Sequence, residues 1–243
     1  MIQLEMLREA TNGDWLTAHQ GGQAESFAHD SRAVSDGQCF VAIRGAQGDG
    51  HDHLEDAVAN GATSLLMQRN RLDVLLTGDT SWVARMNERG VAIIAVDDTR
   101  AALRAYAARV LATWQPYVIA VAGSAGKTTT KEAIAEVLSL AGPTFRSWRN
   151  YNDLLGVPLS LGALTPEHQY AVIELAADHP GEMAELCDLV HPRLGVLTCA
   201  AETHLRYFGT AEAMVEELAA LPAALPADGL FLTQLADPVT RVL

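Results

Sequence analysis

The chain has 243 residues, with 17 Lys and Arg against 30 Asp and Glu and a formal net charge of -13. A hydrophobic fraction of 49% with 19% charged residues supplies enough apolar side chain for a packed core, which excludes a mainly disordered chain. The acidic balance, with no cluster of arginines, excludes a nucleic-acid binder, because neutralising phosphates needs a basic face.

No stretch of about 18 uninterrupted apolar residues occurs, and the N-terminal MIQLEMLREATNGDW carries acids where an export signal needs a basic start and an apolar run. No membrane insertion and a cytoplasmic location are therefore expected. Cys39, Cys187 and Cys199 are widely spaced among apolar residues and read as reduced core thiols, with no Cys-x-x-Cys signature beside them.

In chain order, apolar β-branched runs alternate with helical patterns, which predicts an α/β fold. Strands are expected at 39–43, 64–67 and 91–96. A helix is expected from His53 to Asn60, stopped by Gly61, and an Arg-rich stretch at 68–90 reads as a connecting helix with loops. TRAALRAYAARVLATW at 99–114 predicts a helix, with Thr99 able to cap it and Ala, Leu and Val recurring at helical spacing. Gln115-Pro116 breaks that pattern, so a domain boundary is placed there, giving units 1–114 and 115–243. In the second unit strands are expected at 118–122, 171–175, 194–198 and 230–232, and helices at 129–141, 181–190 and 211–221. That alternation predicts a mainly parallel sheet.

The strongest chemical signal is VIAVAGSAGKTTTKE, an apolar strand running through Gly123, Ser124, Ala125, Gly126, Lys127, Thr128 and Thr129 into a helix. The glycines let backbone N–H groups and the helix N-terminus face an anion, Lys127 can reach terminal phosphates, and the Thr128 hydroxyl can hold Mg²⁺. A nucleoside triphosphate site is the expected function of this loop. Val121 stands where the strict eight-residue motif has glycine, so the loop is a shorter variant. Lys127 and Lys131 are the chain's two lysines among its 17 basic residues. Lys131, one turn further on, is left open between a solvated and a substrate-facing position.

Several segments together resemble the Mur ligases of peptidoglycan synthesis, and among them the enzymes that add D-alanyl-D-alanine to a UDP-N-acetylmuramoyl-tripeptide. In the first unit these are HDSRAV at 29–34, GQCFVAIRG at 37–45 and GDGHDHLEDAVANGA at 48–62. In the second they are GSAGKTTTKE, NYNDLLGVP at 150–158, VIELAADHPGEM at 172–183 and HPRLGVLTCAAETHLRYFGT at 191–210. The resemblance implies a small UDP-sugar-binding α/β domain followed by an incomplete phosphate-loop domain with a mainly parallel sheet, the family's C-terminal domain being absent.

The resemblance also implies the chemistry. ATP phosphorylates the tripeptide carboxylate, and the amine of D-alanyl-D-alanine displaces phosphate to form an amide. Lys127 and His204 are implied as catalytic, with Thr128, Glu174 and His204 around Mg²⁺. Ser31, Arg32 and His51 are the candidates for the UDP group, Arg32 being suited to a diphosphate. Asn150 and Asn152 are expected in a loop bordering the reacting phosphate, a plain turn role remaining open for both.

The chain departs from its relatives near that site. Leu218 stands where these ligases usually carry a lysine, modified to a carbamate, for a second Mg²⁺. Asp153, Cys199, Ala220, Gln234 and Ala236 also replace usual residues, while Asp237-Pro238 keeps the end of a nucleotide motif. A sheet that stops short is expected to leave an apolar edge and favour association. Three readings stay open: such a ligase, the isolated chain being inactive; a degenerate homologue that binds UDP-sugar precursor or nucleotide without catalysis; and another phosphate-loop ligase or ATPase.

Overall fold

A computed structural model of the chain describes residues 1–45, 48–199 and 210–234. It divides into two compact units, Met1–Arg109 and Val110–Leu243, the division falling within the long helix where the sequence placed the boundary just after it.

The first unit opens with β1 (Ile2–Gln3), α1 (Leu4–Thr11), β2 (Asp14–Trp15), β3 (Gln23–Ala24) and β4 (Phe27–Ala28). It continues with β5 (Cys39–Val41), α2 (Leu54–Ala59), β6 (Ser64–Gln68), α3 (Leu72–Gly78), α4 (Trp82–Glu88), β7 (Ala92–Val96) and α5 (Thr99–Trp114). Five strands form a sheet in the order β2-β7-β6-β5-β4, parallel except for β2. Strands buried on both faces read as unbroken apolar runs, and Ala92-Ile-Ile-Ala-Val96 is buried throughout. Phe40, Leu65, Ile93, Trp82 and Met86 meet in this unit's core.

Several local expectations are corrected. β5 ends at Val41, and α2 starts at Leu54 after a 3-10 turn over Gly50–His53. The 68–90 stretch carries two short helices rather than one. β1 to β4 are only two residues long, too short to show a period of two in sequence.

The second unit runs β8 (Tyr117–Ala122), α6 (Lys127–Ser139), β9 (Thr144–Arg146), α7 (Gly156–Leu161), β10 (Tyr170–Glu174), α8 (Glu182–Val190), β11 (Leu194–Leu197), α9 (Ala211–Ala223) and β12 (Leu230–Thr233). Its sheet is wholly parallel, in the order β12-β11-β8-β10-β9. Ile134, Leu138 and Ala135 of α6 pack against Ile119, Val121 and Val172 of the sheet. Residues 156–158, which follow the loop of Asn150 and Asn152, are the first turn of α7. Pro158 is tolerated there because N–H groups of the first turn have no carbonyl to bond. The edge strand β12 exposes Leu230 and Leu232.

β8 lies at the centre of its sheet, and the chain leaves it toward β9 on one side and later returns to β11 on the other. In open α/β sheets the crevice outside the carboxyl ends of strands at such a reversal is where ligands bind. Parallel register places Glu174 opposite Val121 and Leu197 opposite Ala122, so three strand ends converge on the loop after β8.

Candidate functional site

That loop is Gly123-Ser124-Ala125-Gly126. Its backbone requires glycine: Gly123 has φ +132° and Gly126, the residue preceding α6, has φ +80°. A Cβ on Gly123 would also lie 2.3 Å from Thr198 Oγ1 and 2.8 Å from the Cys199 carbonyl oxygen. The loop is fastened to the segment after β11: Ser124 N–H donates to the Cys199 carbonyl at 2.8 Å, and Thr198 Oγ1 donates to the Ala125 carbonyl at 2.6 Å.

The amino end of α6 follows, and its first-turn N–H groups have no helical carbonyl ahead of them. Together with the helix dipole they make an anion site. Lys127 Nζ is folded onto the Gly123 carbonyl at 2.7 Å, an ammonium poised over the loop. Thr128 Oγ1 donates to Glu174 Oε2 at 2.8 Å, and Asn152 Nδ2 donates to Glu174 Oε1 at 2.7 Å. Thr129 is exposed in the same turn.

A hydroxyl and a carboxylate converging beside an anion-binding helix end suit a hard cation. Mg²⁺ favours one or two carboxylates together with phosphate oxygens over an all-protein cage. Among the described residues no cluster of three His, Cys, Asp or Glu side chains could hold a metal alone.

The comparisons with known proteins coincide with this geometry. The model of the Mur ligase middle domain matches residues 121–243, and that of the Mur ligase family, catalytic domain, matches 25–110. The chain belongs to the Mur ligase family. The UDP-N-acetylmuramoyl-tripeptide--D-alanyl-D-alanine ligase of Escherichia coli is 34% identical over 94% of this chain and 47% of the relative. Among solved structures, the UDP-N-acetylmuramoylalanyl-D-glutamyl-2,6-diaminopimelate--D-alanyl-D-alanyl ligase of Acinetobacter baumannii superposes with TM-score 0.80 and 31% identity. It covers 99% of this chain and 50% of that one. MurF ligase of Thermotoga maritima, solved with ADP, gives TM-score 0.71 at 30% identity, covering 90% and 48%. The chain thus spans about half the length of the curated relatives it matches.

Within this Mur ligase fold, not every expected residue lies beside the phosphate loop. His204, the implied metal-supporting histidine, lies outside the described residues, as do Ala236 and Asp237-Pro238. Asn152 reaches the site through Glu174, whereas Asn150 is exposed two residues earlier. Asp153 caps the turn into α7 by accepting from the N–H groups of Leu155 and Gly156, which gives the acid at this position a local structural use.

In the first unit, Ser31 is buried and its carbonyl accepts from Asn60 Nδ2. The Arg32 side chain is 87% exposed and paired with Asp30. The Arg32 guanidinium, aided by the Arg32 N–H, holds the Asp30 carboxyl down at about 2. His51, expected at the UDP group, is held within the framework of its unit. It is buried, its Nε2 accepts from Gln68 N–H at 2.9 Å, and its Nδ1 meets Asp49 Oδ1 at 2.5 Å, so both ring nitrogens are committed. Burial raises the Asp49 carboxyl, but the His51 N–H, its ring and Arg71 outweigh it and leave the group below its ordinary range.

Cys39 and Cys187 are buried thiols, each pushed up to about 12 by burial. Cys199 is corrected from a core thiol to a half-exposed one beside the phosphate loop, with Sγ 3.5 Å from the Ala125 carbonyl.

Two features escaped the sequence reading. Lys131, left open between solvent and substrate, is fully buried. Glu217, on α9, is buried and accepts from the N–H groups of Gly181 and Met183 at the start of α8, at 2.7 and 2.6 Å. Its neighbour Leu218 lines, with Met183, Met214, Leu175 and Glu217 itself, the cleft that Gly123, Ser124 and Lys127 also line.

Proposed function

We propose that this chain carries the precursor-binding and nucleotide-phosphate-binding parts of a Mur ligase that joins D-alanyl-D-alanine to a UDP-N-acetylmuramoyl-tripeptide, using ATP. The observation that carries the reading is the loop 123–128 at the sheet's reversal point, with Lys127 over it and Thr128 hydrogen-bonded to Glu174. Backbone N–H groups of the loop and of α6 orient the triphosphate, and Lys127 moves from the Gly123 carbonyl to the terminal phosphates. Mg²⁺ held by Thr128 and Glu174 would neutralise charge on the phosphate oxygens. Ser31 and Arg32 remain the proposed contacts for the UDP group, with Arg32 free to exchange Asp30 for a diphosphate. A cytoplasmic site of action goes with this reading, and among the described residues no helix is long and apolar enough to cross a membrane.

A second reading, a nucleotide or precursor binder without catalysis, is favoured by Leu218. Leucine offers no oxygen to a cation, and here it lines the phosphate-loop cleft. The experiment that separates the two incubates the chain with ATP, Mg²⁺, UDP-N-acetylmuramoyl-tripeptide and D-alanyl-D-alanine, following phosphate and amide product. Coupled release of both supports the ligase reading. Nucleotide binding without product supports the second, and neither binding nor product refutes both.

A further inference from the structure

Lys131 is buried to 0% exposure, although burying an ammonium costs several kcal/mol unless its donors are met. The donors are met by particular groups. Nζ donates to the Ser147 carbonyl at 2.7 Å and the Arg149 carbonyl at 3.0 Å, and lies 3.1 Å from Glu132 Oε1 and 3.9 Å from Glu174 Oε2. Thr128 and Lys131 are three apart on α6 and therefore share a face, and both approach the same Glu174 oxygen.

The segment that Lys131 grips is itself unusual. Arg149 has φ +40°, a backbone state that non-glycine residues avoid unless the surroundings fix it. Its carbonyl is turned inward to the ammonium, and three residues later Asn152 donates to the other Glu174 oxygen. Ser147 closes the circuit, its hydroxyl accepting from the Glu174 N–H at 3.0 Å. A single ammonium thus ties the phosphate-loop helix, the 147–152 segment and the Glu174 carboxylate together.

We propose that Lys131 is a positioning residue for the cation–phosphate centre. It fixes the orientation of Glu174 directly and through Asn152, so that the carboxylate meets the cation that arrives with the nucleotide. The inference rests on the nucleotide reading above and adds a residue that contacts neither phosphate nor metal.

The test measures Mn²⁺ binding to the chain–ADP complex by electron paramagnetic resonance, and metal-free ADP binding by calorimetry. It uses wild type, Lys131→Met, Glu174→Gln and the double variant. Lys131→Met is expected to weaken Mn²⁺ uptake about tenfold while metal-free ADP affinity stays within about twofold. In the Glu174→Gln background the same change adds nothing further, as expected for groups acting as one unit. Should Lys131→Met fail to fold, Lys131→Gln, which keeps a donor for the Ser147 carbonyl without the charge, carries the comparison. Equal losses with and without metal, or additive losses in the double variant, overturn the proposal and leave the nucleotide reading standing. A wild-type chain that binds no ADP overturns both.

Discussion

Replacing Glu217 by alanine should destabilise the second unit through one identifiable contact. The carboxylate belongs to α9 but satisfies the amino end of α8, accepting from Gly181 N–H at 2.7 Å and Met183 N–H at 2.6 Å. Gly181 is exposed and can turn to water, whereas Met183 is buried and its N–H would be left without a partner. An orphaned buried donor costs about 1–3 kcal/mol, and losing a negative charge at a helix N-terminus costs about 0.3–1 kcal/mol. The expected loss is therefore roughly 1–4 kcal/mol, read as a lower urea midpoint at unchanged slope. Glu217→Gln keeps an acceptor without the charge and should lose about half as much. Glu216→Ala, at an exposed position on the same helix, should stay within about 0.5 kcal/mol of wild type. A Glu217→Ala chain as stable as the Glu216→Ala chain would refute the reasoning.

Gly123→Ala places a methyl group against Thr198 Oγ1 and the Cys199 carbonyl in a left-handed backbone state. It should abolish nucleotide binding, measured by calorimetry, while circular dichroism shows the sheet retained. Burial lowers the His168 pKa below the ordinary 6.5 against the opposing charge of Glu167. Because the unfolded chain then binds more protons, His168 contributes stability that is complete above about pH 6.5 and is lost as pH falls through the folded value. A His168→Gln chain should therefore show a shallower decline in Tm between pH 7 and pH 5. Of the three thiols, Cys199 alone should react quickly with an aromatic disulfide reagent at pH 8, the other two being buried and pushed up to about 12. Nucleotide should slow that reaction, since Cys199 sits beside the Ala125 carbonyl of the loop.

What could be read from the sequence was local. The helix over 99–114 announces itself by its spacing and occurs at those residues, but its cap is Asp98, whose Oδ1 accepts from the Arg100 and Ala101 N–H groups, while the Thr99 hydroxyl donates to the Ala42 carbonyl. The β8–loop–α6 unit is equally legible because glycines, a lysine and a threonine at fixed offsets between an apolar run and a helix have one geometric use. Long-range partnerships were not legible. The i+4 spacing of Lys131 from Lys127 tells which face of α6 it occupies but not that Ser147 and Arg149 cover that face. His51, in a polar stretch, looks available to a ligand until Gln68, seventeen residues on, takes its second nitrogen. Glu217 reads as one acid among several on α9, and only the packing of α8 beside it gives the carboxylate its partners.

The central claim, that Gly123 to Thr128 hold a nucleotide's phosphates, is tested most directly by calorimetric titration of ADP and ATP into wild type and Lys127→Ala. An ammonium bonded to phosphate contributes about 1.5–3 kcal/mol, so the substitution should weaken ATP by roughly ten- to a hundredfold. Unchanged ATP affinity in the Lys127→Ala chain would contradict the account.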